Sequence, residues 1–365
     1  MDDSQPSPFP LAPVSAAILA EQETERRNHL RQLGYLKSGC AEIDDYVLQG
    51  GFERGHIVGL SAEEETLGLT LGLQILSKML SENPETALII TPKPAGEILR
   101  SLRDSIRTSL SLPPHEIDHK VKSCLDNVML SCVFDIDGLW QVLSDLDTKS
   151  EIQDSQDSEP ALSPSSPSLI LITHFSSLLT SLFTQRTKDS AHTKLSLLAS
   201  HLRYLSRNLP SHPLILILNS TTDSHDGQDK RHNKPLDPSL RSIFNPPPLH
   251  IPGYVATSSR RSKPSFGLVF TQLLDLHVLA SRVPRTRDDA ESVVNSRDAT
   301  FVTVLEVLLD EMGLWTGRMG RRMNREQRWG AVRVEGGRVV DAFAKREVVE
   351  VVEIRTSGGF GGRRA

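Results

Sequence analysis

Short runs of apolar residues, separated by longer segments of helical character, constrain the fold of this chain more than any other feature. The runs HIVGL, TALIIT, NVMLSCV, SLILIT and PLILILN begin at residues 56, 86, 127, 168 and 213. Strands that are buried on both faces are apolar at nearly every position, and such strands are typical of parallel sheets covered by helices. The sequence therefore predicts an α/β fold with a mainly parallel central sheet flanked by helices.

The intervening segments have the composition and spacing of helices. Residues 15–33, SAAILAEQETERRNHLRQL, are rich in strong helix formers and contain neither glycine nor proline, which predicts an N-terminal helix. LGLQILSKML, PAGEILRSLRDSIRTSL and DIDGLWQVLSDL are predicted to be helices that follow strands. Between Thr187 and Leu209 a single apolar stripe predicts another helix, and its members are Leu195, Leu198, Leu202, Leu205 and Leu209.

After Gly253 the pattern changes to FGLVFTQLLDLHVLASR, TFVTVLEVLLD and AVRVEGGRVVDAFA. The last of these predicts a β-hairpin in which Gly336 and Gly337 form the turn. We expect the parallel core to be extended by an antiparallel C-terminal edge.

Composition divides the chain into a core and several polar segments. Residues 145–159, DLDTKSEIQDSQDSE, carry six acids and one lysine and lead into a Ser/Pro segment. We expect residues 1–34 to form a disordered leader and a helix, 35–345 one core domain with disordered insertions at 148–167 and 221–253, and 346–365 a C-terminal strand and a Gly/Arg tail. No signal peptide or run of membrane-spanning length is recognisable, so we expect an intracellular protein without membrane contact. Three cysteines without a CxxC pair predict no metal site.

Four motifs in order resemble one protein family. LKSGCAEIDDYVLQGGFERGHIVGLSAEEETLGLTLGLQIL resembles the start of the ATPase core of the RecA-type recombinases of eukaryotes and archaea. Downstream, SLILITHFSSLLTSL, LILILN and SKPSFGLVFTQLLDLHVLASR resemble later motifs of that core. The resemblance covers residues 35–345 and implies a RecA-like P-loop NTPase fold. Within that family, the sequence most resembles a Rad-type recombinase paralogue with degenerate Walker motifs, of the kind found in eukaryotes such as filamentous fungi.

The phosphate-binding loop of that family is altered here. A working loop needs glycines that turn backbone N–H groups inward, a lysine for the outer phosphates and a Ser/Thr hydroxyl for magnesium. Aligned on the helix, Ala62, Leu67, Gly68 and Leu69 replace the two glycines, the lysine and the Ser/Thr. With one extra loop residue, Gly68 and Thr70 are retained but Leu69 replaces the lysine. In either alignment the lysine is missing, and residues 63–65, EEE, are expected to project carboxylates toward a bound triphosphate.

Two further parts of a nucleotide site are missing. The aspartate that should end the strand SLILI is Thr173, whose neutral hydroxyl cannot replace a carboxylate on Mg²⁺. The strand TALIIT is followed by proline and lysine where an acid should orient the attacking water. These three losses favour a degenerate ATPase with no catalytic residues. No bound cofactor is predicted unless the altered loop is compensated and still holds ATP and Mg²⁺.

Two basic clusters are the remaining candidates for function. Basic side chains on loops neutralise nucleic-acid phosphates, although either cluster could equally be a solvated surface. The first cluster follows the strand LILILN, and the second is RMGRRMNREQR, which also includes Arg328. The predicted DNA-binding residues are Lys230, Arg231, Lys234, Arg241, Arg260, Arg261, Lys263, Arg318, Arg321, Arg322 and Arg325.

Two functional hypotheses follow from the resemblance. The first is a non-catalytic recombinase paralogue in the nucleus that binds DNA and partner RecA-fold recombinase or paralogue subunits in homologous recombination and DNA repair. The alternative is a structural RecA-fold subunit of a tRNA-modifying Elongator-type complex. A divergent ATP-dependent DNA repair ATPase also stays open, and it requires all three losses to be compensated.

Overall fold

The computed structural model describes residues 14–110, 113–153, 166–224, 242–244, 261–294, 298–312, 316–317, 320–321 and 323–343. Within these ranges the α-helices are α1 (Ala16–Leu33), α2 (Glu65–Glu82), α3 (Ala95–Ser109), α4 (Pro114–Asp126), α5 (Ile136–Gln153), α6 (Phe175–Gln185), α7 (Lys188–Asn208), α8 (Gly267–Thr271) and α9 (Arg287–Val294). A π-helical turn spans Glu42–Val47 and a 3₁₀ turn spans Arg325–Gln327.

The strands of the same ranges are β1 (Tyr35–Leu36), β2 (Phe52–Glu53), β3 (Ile57–Ala62), β4 (Ala87–Thr91), β5 (Val128–Cys132), β6 (Leu169–Ile172), β7 (Leu214–Ser224), β8 (Arg261–Pro264), β9 (Leu276–Pro284), β10 (Phe301–Asp310), β11 (Thr316–Gly317), β12 (Gly320–Arg321), β13 (Trp329–Glu335) and β14 (Arg338–Asp341).

One large sheet organises the molecule. Its strand order is β14-β13-β10-β9-β3-β7-β6-β4-β5, with β8 paired to the end of β7. The strands from β9 to β5 run parallel to their neighbours, whereas β10, β13 and β14 are antiparallel. The predicted α/β class, the parallel core strands and the antiparallel C-terminal edge are therefore confirmed.

Alternate residues of each core strand face opposite layers of helices. In β6, Leu169 and Leu171 pack into the apolar cluster that α2, α3 and α4 complete on one face. Ile170 and Ile172 pack into the cluster that α5, α6, α7 and α8 complete on the other face. This double burial is the reason why the core strands are apolar at nearly every position.

The predicted helices and hairpin are present with small shifts at their ends. Ser15 caps α1, because its Oγ accepts the backbone N–H of Ile18 at 3.3 Å. Gly336 and Gly337 have φ values of +56° and +74°, the left-handed conformation that the tight turn between β13 and β14 requires. Helices α4, α6, α8 and α9 were not predicted as separate elements.

The domain boundaries stay a prediction, since much of the polar sequence lies outside the described residues. Helix α5 continues to Gln153 and β7 to Ser224, so both elements extend into the segments predicted to be disordered. The rest of 148–167 and 221–253, apart from 166–167 and 242–244, lies outside the described residues, as does 346–365.

Candidate functional site

The turn between β3 and α2 is too short to form a phosphate-binding loop. The strand ends at Ala62 and the helix begins at Glu65, so only two residues connect them. The Glu64 carbonyl accepts the backbone N–H groups of Leu67 at 3.0 Å and Gly68 at 3.4 Å. A phosphate-binding loop must aim such N–H groups at the ligand, and here they are bonded within the helix.

The three glutamates of this turn point in different directions. Glu63 faces strand β9, where its carboxylate accepts the backbone N–H of Arg282 at 2.8 Å. Glu64 lies 3.8 Å from the guanidinium of the same arginine, and both side chains are half exposed. Of the three, only Glu65 lines the cleft beside the turn. The expectation that all three would project toward a triphosphate is therefore wrong for Glu63 and Glu64, because Arg282 provides them with a partner.

The opposite wall of the cleft ends in hydroxyl and imidazole groups. Thr173 is fully buried after β6 and donates from its hydroxyl to the Thr91 hydroxyl at 2.8 Å. His174 follows in the left-handed conformation with φ of +52°, and its Nδ1 lies 3.0 Å from Thr173 Oγ1. Burial lowers the pKa of His174, although Glu65 at 3.8 Å acts in the opposite direction. No carboxylate occupies the magnesium-binding position at the end of this strand.

The cleft is small. It lies between the carboxyl ends of β3, β6 and β7, where ligands of open α/β sheets usually bind. The volume open to the centre of a water-sized sphere is about 10 Å³, which is room for about one water molecule. The residues that line it are Ala62, Glu65, Gly68, Leu69, Thr173, His174, Leu218, Asn219 and Ser220.

The structure brings together most of the predicted loop residues. Ala62, Gly68, Leu69 and Thr173 all line the cleft, whereas Leu67 is buried in the core. Thr70 is half buried and does not line it. The predicted loop position is thus a cleft, and its open volume is that of about one water molecule.

A buried polar network that the sequence reasoning missed lies beside the cleft. His277 of β9 is fully buried, with Nε2 2.9 Å from Ser61 Oγ and Nδ1 3.2 Å from Thr271 Oγ1. Asn219 donates from Nδ2 to Ser61 Oγ at 3.2 Å and to the Ser265 carbonyl at 3.0 Å. Burial lowers the pKa of His277 to about 3. A neutral, solvent-excluded imidazole in an apolar strand joins β3, β7 and β9 rather than performing catalysis.

The predicted DNA-binding residues are only partly described. Lys230, Arg231, Lys234, Arg241, Arg260, Arg318 and Arg322 lie outside the described residues, and for Arg261 and Arg321 only the backbone is described. Lys263 is exposed on β8. Arg325 is half buried and donates from Nη1 to the Leu308 carbonyl at 2.6 Å.

One arginine of the second cluster has a structural role. Arg328 is 1% exposed, forms an ion pair with Asp310 and donates from Nε to the Val47 carbonyl at 2.9 Å. Arg328, a member of the second basic cluster that was not among the predicted DNA-binding residues, is thus buried against the π-helical turn. Among the described residues, none of the helices has the length and hydropathy needed to cross a membrane.

Comparison with known proteins gives little beyond the fold. No family model matches the sequence, and no curated protein sequence matches it. A solved structure described as the crystal structure of the RadB recombinase is similar, with a TM-score of 0.47 and 12% sequence identity. The match covers 84% of this chain and 100% of that chain. At this identity and TM-score the likeness assigns no function to the chain.

Proposed function

We propose that this chain is a non-catalytic RecA-fold recombinase paralogue of eukaryotic type. It acts in DNA recombination and repair by binding DNA and partner recombinase subunits. The observation that carries the proposal is the closed cleft, the cleft between the ends of β3 and β6 that has room for about one water molecule. It lies where the sequence motifs require a nucleotide site, and its turn, lysine position and metal position have all changed.

The placement of the motifs supports this proposal. The first motif spans β3 and α2, the second spans β6 and α6, and the third is β7. These three strands are neighbours in the sheet, with β7 between β3 and β6. Motifs that are far apart in sequence therefore meet at one edge of the sheet, as a shared ancestral nucleotide site requires.

The chemistry of the cleft argues against ATP hydrolysis. A triphosphate carries several negative charges, and the Glu65 carboxylate would repel them at short range. Among the described residues that line the cleft there is no lysine, and Gly68 and Leu69 occupy the alternative lysine positions. The hydroxyl of Thr173 donates to Thr91 and is a poor replacement for a magnesium-binding carboxylate.

Nucleotide titration tests the non-catalytic part of the proposal. ATP with Mg²⁺ should give no binding to the purified chain by isothermal titration calorimetry. The double variant Gly68→Lys/Thr173→Asp restores the two missing side chains in one alignment, and we expect it not to bind either, because the turn stays closed. Binding by the double variant alone would show that the side chains, and not the turn, account for the loss. Binding by the unaltered chain would refute the proposal.

Affinity capture tests the biological part. From nuclear extract, the tagged chain should recover RecA-fold recombinase or paralogue subunits, identified by mass spectrometry. A nuclear location and a role in repair are parts of the same proposal. Recovery of Elongator subunits instead, together with a preference for tRNA over DNA, would replace it with the structural role in tRNA modification.

A further inference from the structure

The antiparallel extension of the sheet carries a small apolar cluster of its own. Alternate residues of β10 face opposite sides, and Leu305 and Val307 pack into the large core. The cluster on the other side contains Val302, Val304, Ala331 and Ala342. Among the described residues no helix packs on this cluster, whereas Phe244 of the short segment 242–244 does. This segment therefore covers a sheet face that would otherwise be open to water.

A buried carboxylate holds the segment in place. Glu306 of β10 is 1% exposed, and its antiparallel partner in β13 is Trp329. The Glu306 carboxylate accepts the backbone N–H of Ile243 at 2.9 Å and a hydrogen bond from the Ser242 hydroxyl. The ring of Phe244 lies edge to face against the ring of Trp329, with centroids 5.3 Å apart. Neighbouring side chains of two strands thus bind the backbone, a hydroxyl and a ring of one segment.

The segment is itself folded to make these contacts. Ser242 is 3% exposed, and its Oγ accepts the backbone N–H of Phe244 at 3.1 Å. This local bond turns the chain so that the Ser242 hydroxyl, the Ile243 N–H and the Phe244 ring all face the sheet. The Ile243 side chain is exposed on the outside.

Sheet stability alone does not account for an acid at position 306. Burial raises the pKa of Glu306, and the bonds from Ser242 and Ile243 and the charge of Arg325 act in the opposite direction. Its Oε1 is buried and has no hydrogen-bond partner among the described residues. A buried carboxylate is costly unless it is bonded, and an apolar residue in this strand would avoid that cost. The bonds to the segment are therefore what the carboxylate contributes.

The segment lies inside the first basic cluster. Ser242 directly follows Arg241, and the cluster continues on the other side with Arg260, Arg261 and Lys263. The two ends of this stretch are fixed by the pairing of β7 with β8. Segment 242–244 adds a fixed point between them and divides residues 225–260 into two shorter spans. Shorter spans lose less conformational entropy when their basic side chains are ordered on a ligand.

We propose that Glu306 and Trp329 form an anchor site for Ser242–Phe244, and that this anchor positions the neighbouring basic residues for DNA phosphates. Glu306 is a positioning residue, since it is buried and contacts only the protein. This role of the anchor rests on the DNA contact in the proposed function, and it specifies how the basic segment is held.

Limited digestion with trypsin tests the anchor without DNA. The bond after Arg241 should be cleaved slowly, because Ser242 on its far side is buried. Glu306→Ala and Phe244→Ala should each speed this cleavage by at least about tenfold, measured by mass spectrometry of the fragment that begins at Ser242. Glu306→Gln should restore slow cleavage, since its amide oxygen can accept the same bonds. Glu335→Ala is the matched control, because Glu335 is exposed on β13 and lies outside the anchor.

Fluorescence anisotropy with labelled single-stranded DNA tests the positioning role. Glu306→Ala and Phe244→Ala should each weaken binding by at least about threefold. The double variant should bind no more weakly than either single variant, because both changes remove the same anchor. Glu306→Gln and Glu335→Ala should bind as the unaltered chain does.

The two assays separate this proposal from the proposed function. Fast cleavage after Arg241 in the unaltered chain, or equally fast cleavage in Glu335→Ala and Glu306→Ala, would overturn the anchor. Unchanged or tighter DNA binding by Glu306→Ala and Phe244→Ala would overturn the positioning role alone and leave the DNA contact standing. An unaltered chain that is protected after Arg241 but binds no DNA would instead refute the DNA contact itself, and the positioning role with it.

Discussion

Stability should depend on pH through one buried histidine, His277. The imidazole is excluded from solvent and bonded on both sides by the hydroxyls of Ser61 and Thr271. Its pKa in the folded chain is about 3, against an ordinary value of 6.5. Below the ordinary value the unfolded chain therefore binds a proton that the folded chain does not bind.

Acidification should therefore lower the free energy of unfolding. The contribution of His277 to stability is complete above pH 6.5 and is lost as the pH falls toward 3. One proton taken up only on unfolding costs about 1.4 kcal/mol for each pH unit. At a pH about two units below the ordinary pKa of histidine, the free energy of unfolding should thus be lower by about 3 kcal/mol than at neutral pH.

Urea denaturation at a series of pH values measures this effect. Burial also lowers the pKa of His174 and of His212, so the unaltered chain alone cannot isolate His277. The variant His277→Gln supplies the comparison, because its amide can still bond both hydroxyls but does not titrate. We expect the variant to be less stable at neutral pH and to lose less stability on acidification.

Parallel pH dependences would refute this reasoning. If the chain and His277→Gln lost equal free energy between neutral pH and about pH 4.5, the imidazole would be protonated in the folded state. The network with Ser61 would then not exclude water as described. We expect the free energy of unfolding of the unaltered chain to fall more steeply with decreasing pH than that of His277→Gln. The difference between the two slopes should correspond to about one proton.

The other predictions concern nucleotide, packing and DNA. No ATP hydrolysis above background is expected in a phosphate-release assay, and turnover abolished by removing Mg²⁺ would contradict the closed cleft. Gly59→Ala places a Cβ 2.2 Å from Leu274 Cδ1 and should cost about 1–3 kcal/mol in urea denaturation. The control is Gly96→Ala in helix α3. The new Cβ would meet no atom within 4 Å, so this variant should be neutral or stabilising. Charge reversal of the 260–263 cluster (Arg260, Arg261 and Lys263) should weaken binding to single-stranded DNA of any sequence. It should also reduce the logarithmic salt slope by about two, which fluorescence anisotropy at several salt concentrations measures; an unchanged slope would exclude this cluster from the DNA contact.

The parallel core strands and the long amphipathic helices were predictable from the sequence. The parallel core strands are apolar at nearly every position because both of their faces are buried, and this property is visible without any structure. Helix α4 was not predicted, although Ile117, Val121 and Cys124 follow helical spacing and proline is tolerated in the first turn of a helix. Helix α6 was missed because its sequence continues the apolar run of β6 with similar composition.

Details of the site depended on residues that are distant in the sequence. The direction of Glu63 is set by the backbone of Arg282. The pairing of Ser61 with His277 joins two neighbouring strands that are 216 positions apart in the sequence. Arg328 lies in an arginine-rich segment that suggested a solvated surface, but Asp310 and the π-helical turn bury it. Contacts of this kind are determined by tertiary packing, and no local pattern reports them.

Backbone hydrogen bonds within the chain satisfy the turn between β3 and α2, and this supports the proposed function without a nucleotide. In a phosphate-binding loop the inward N–H groups donate to the phosphate when it is bound and to water when it is not. Here Leu67 and Gly68 donate to the Glu64 carbonyl, and the Glu63 N–H donates to the Ala280 carbonyl at 3.0 Å. A ligand that binds only the folded state adds to stability by mass action, and in the proposed function these internal bonds take the place of that contribution. Under the proposed function, the backbone donors of this short turn that are already bonded within the chain are not available to a phosphate.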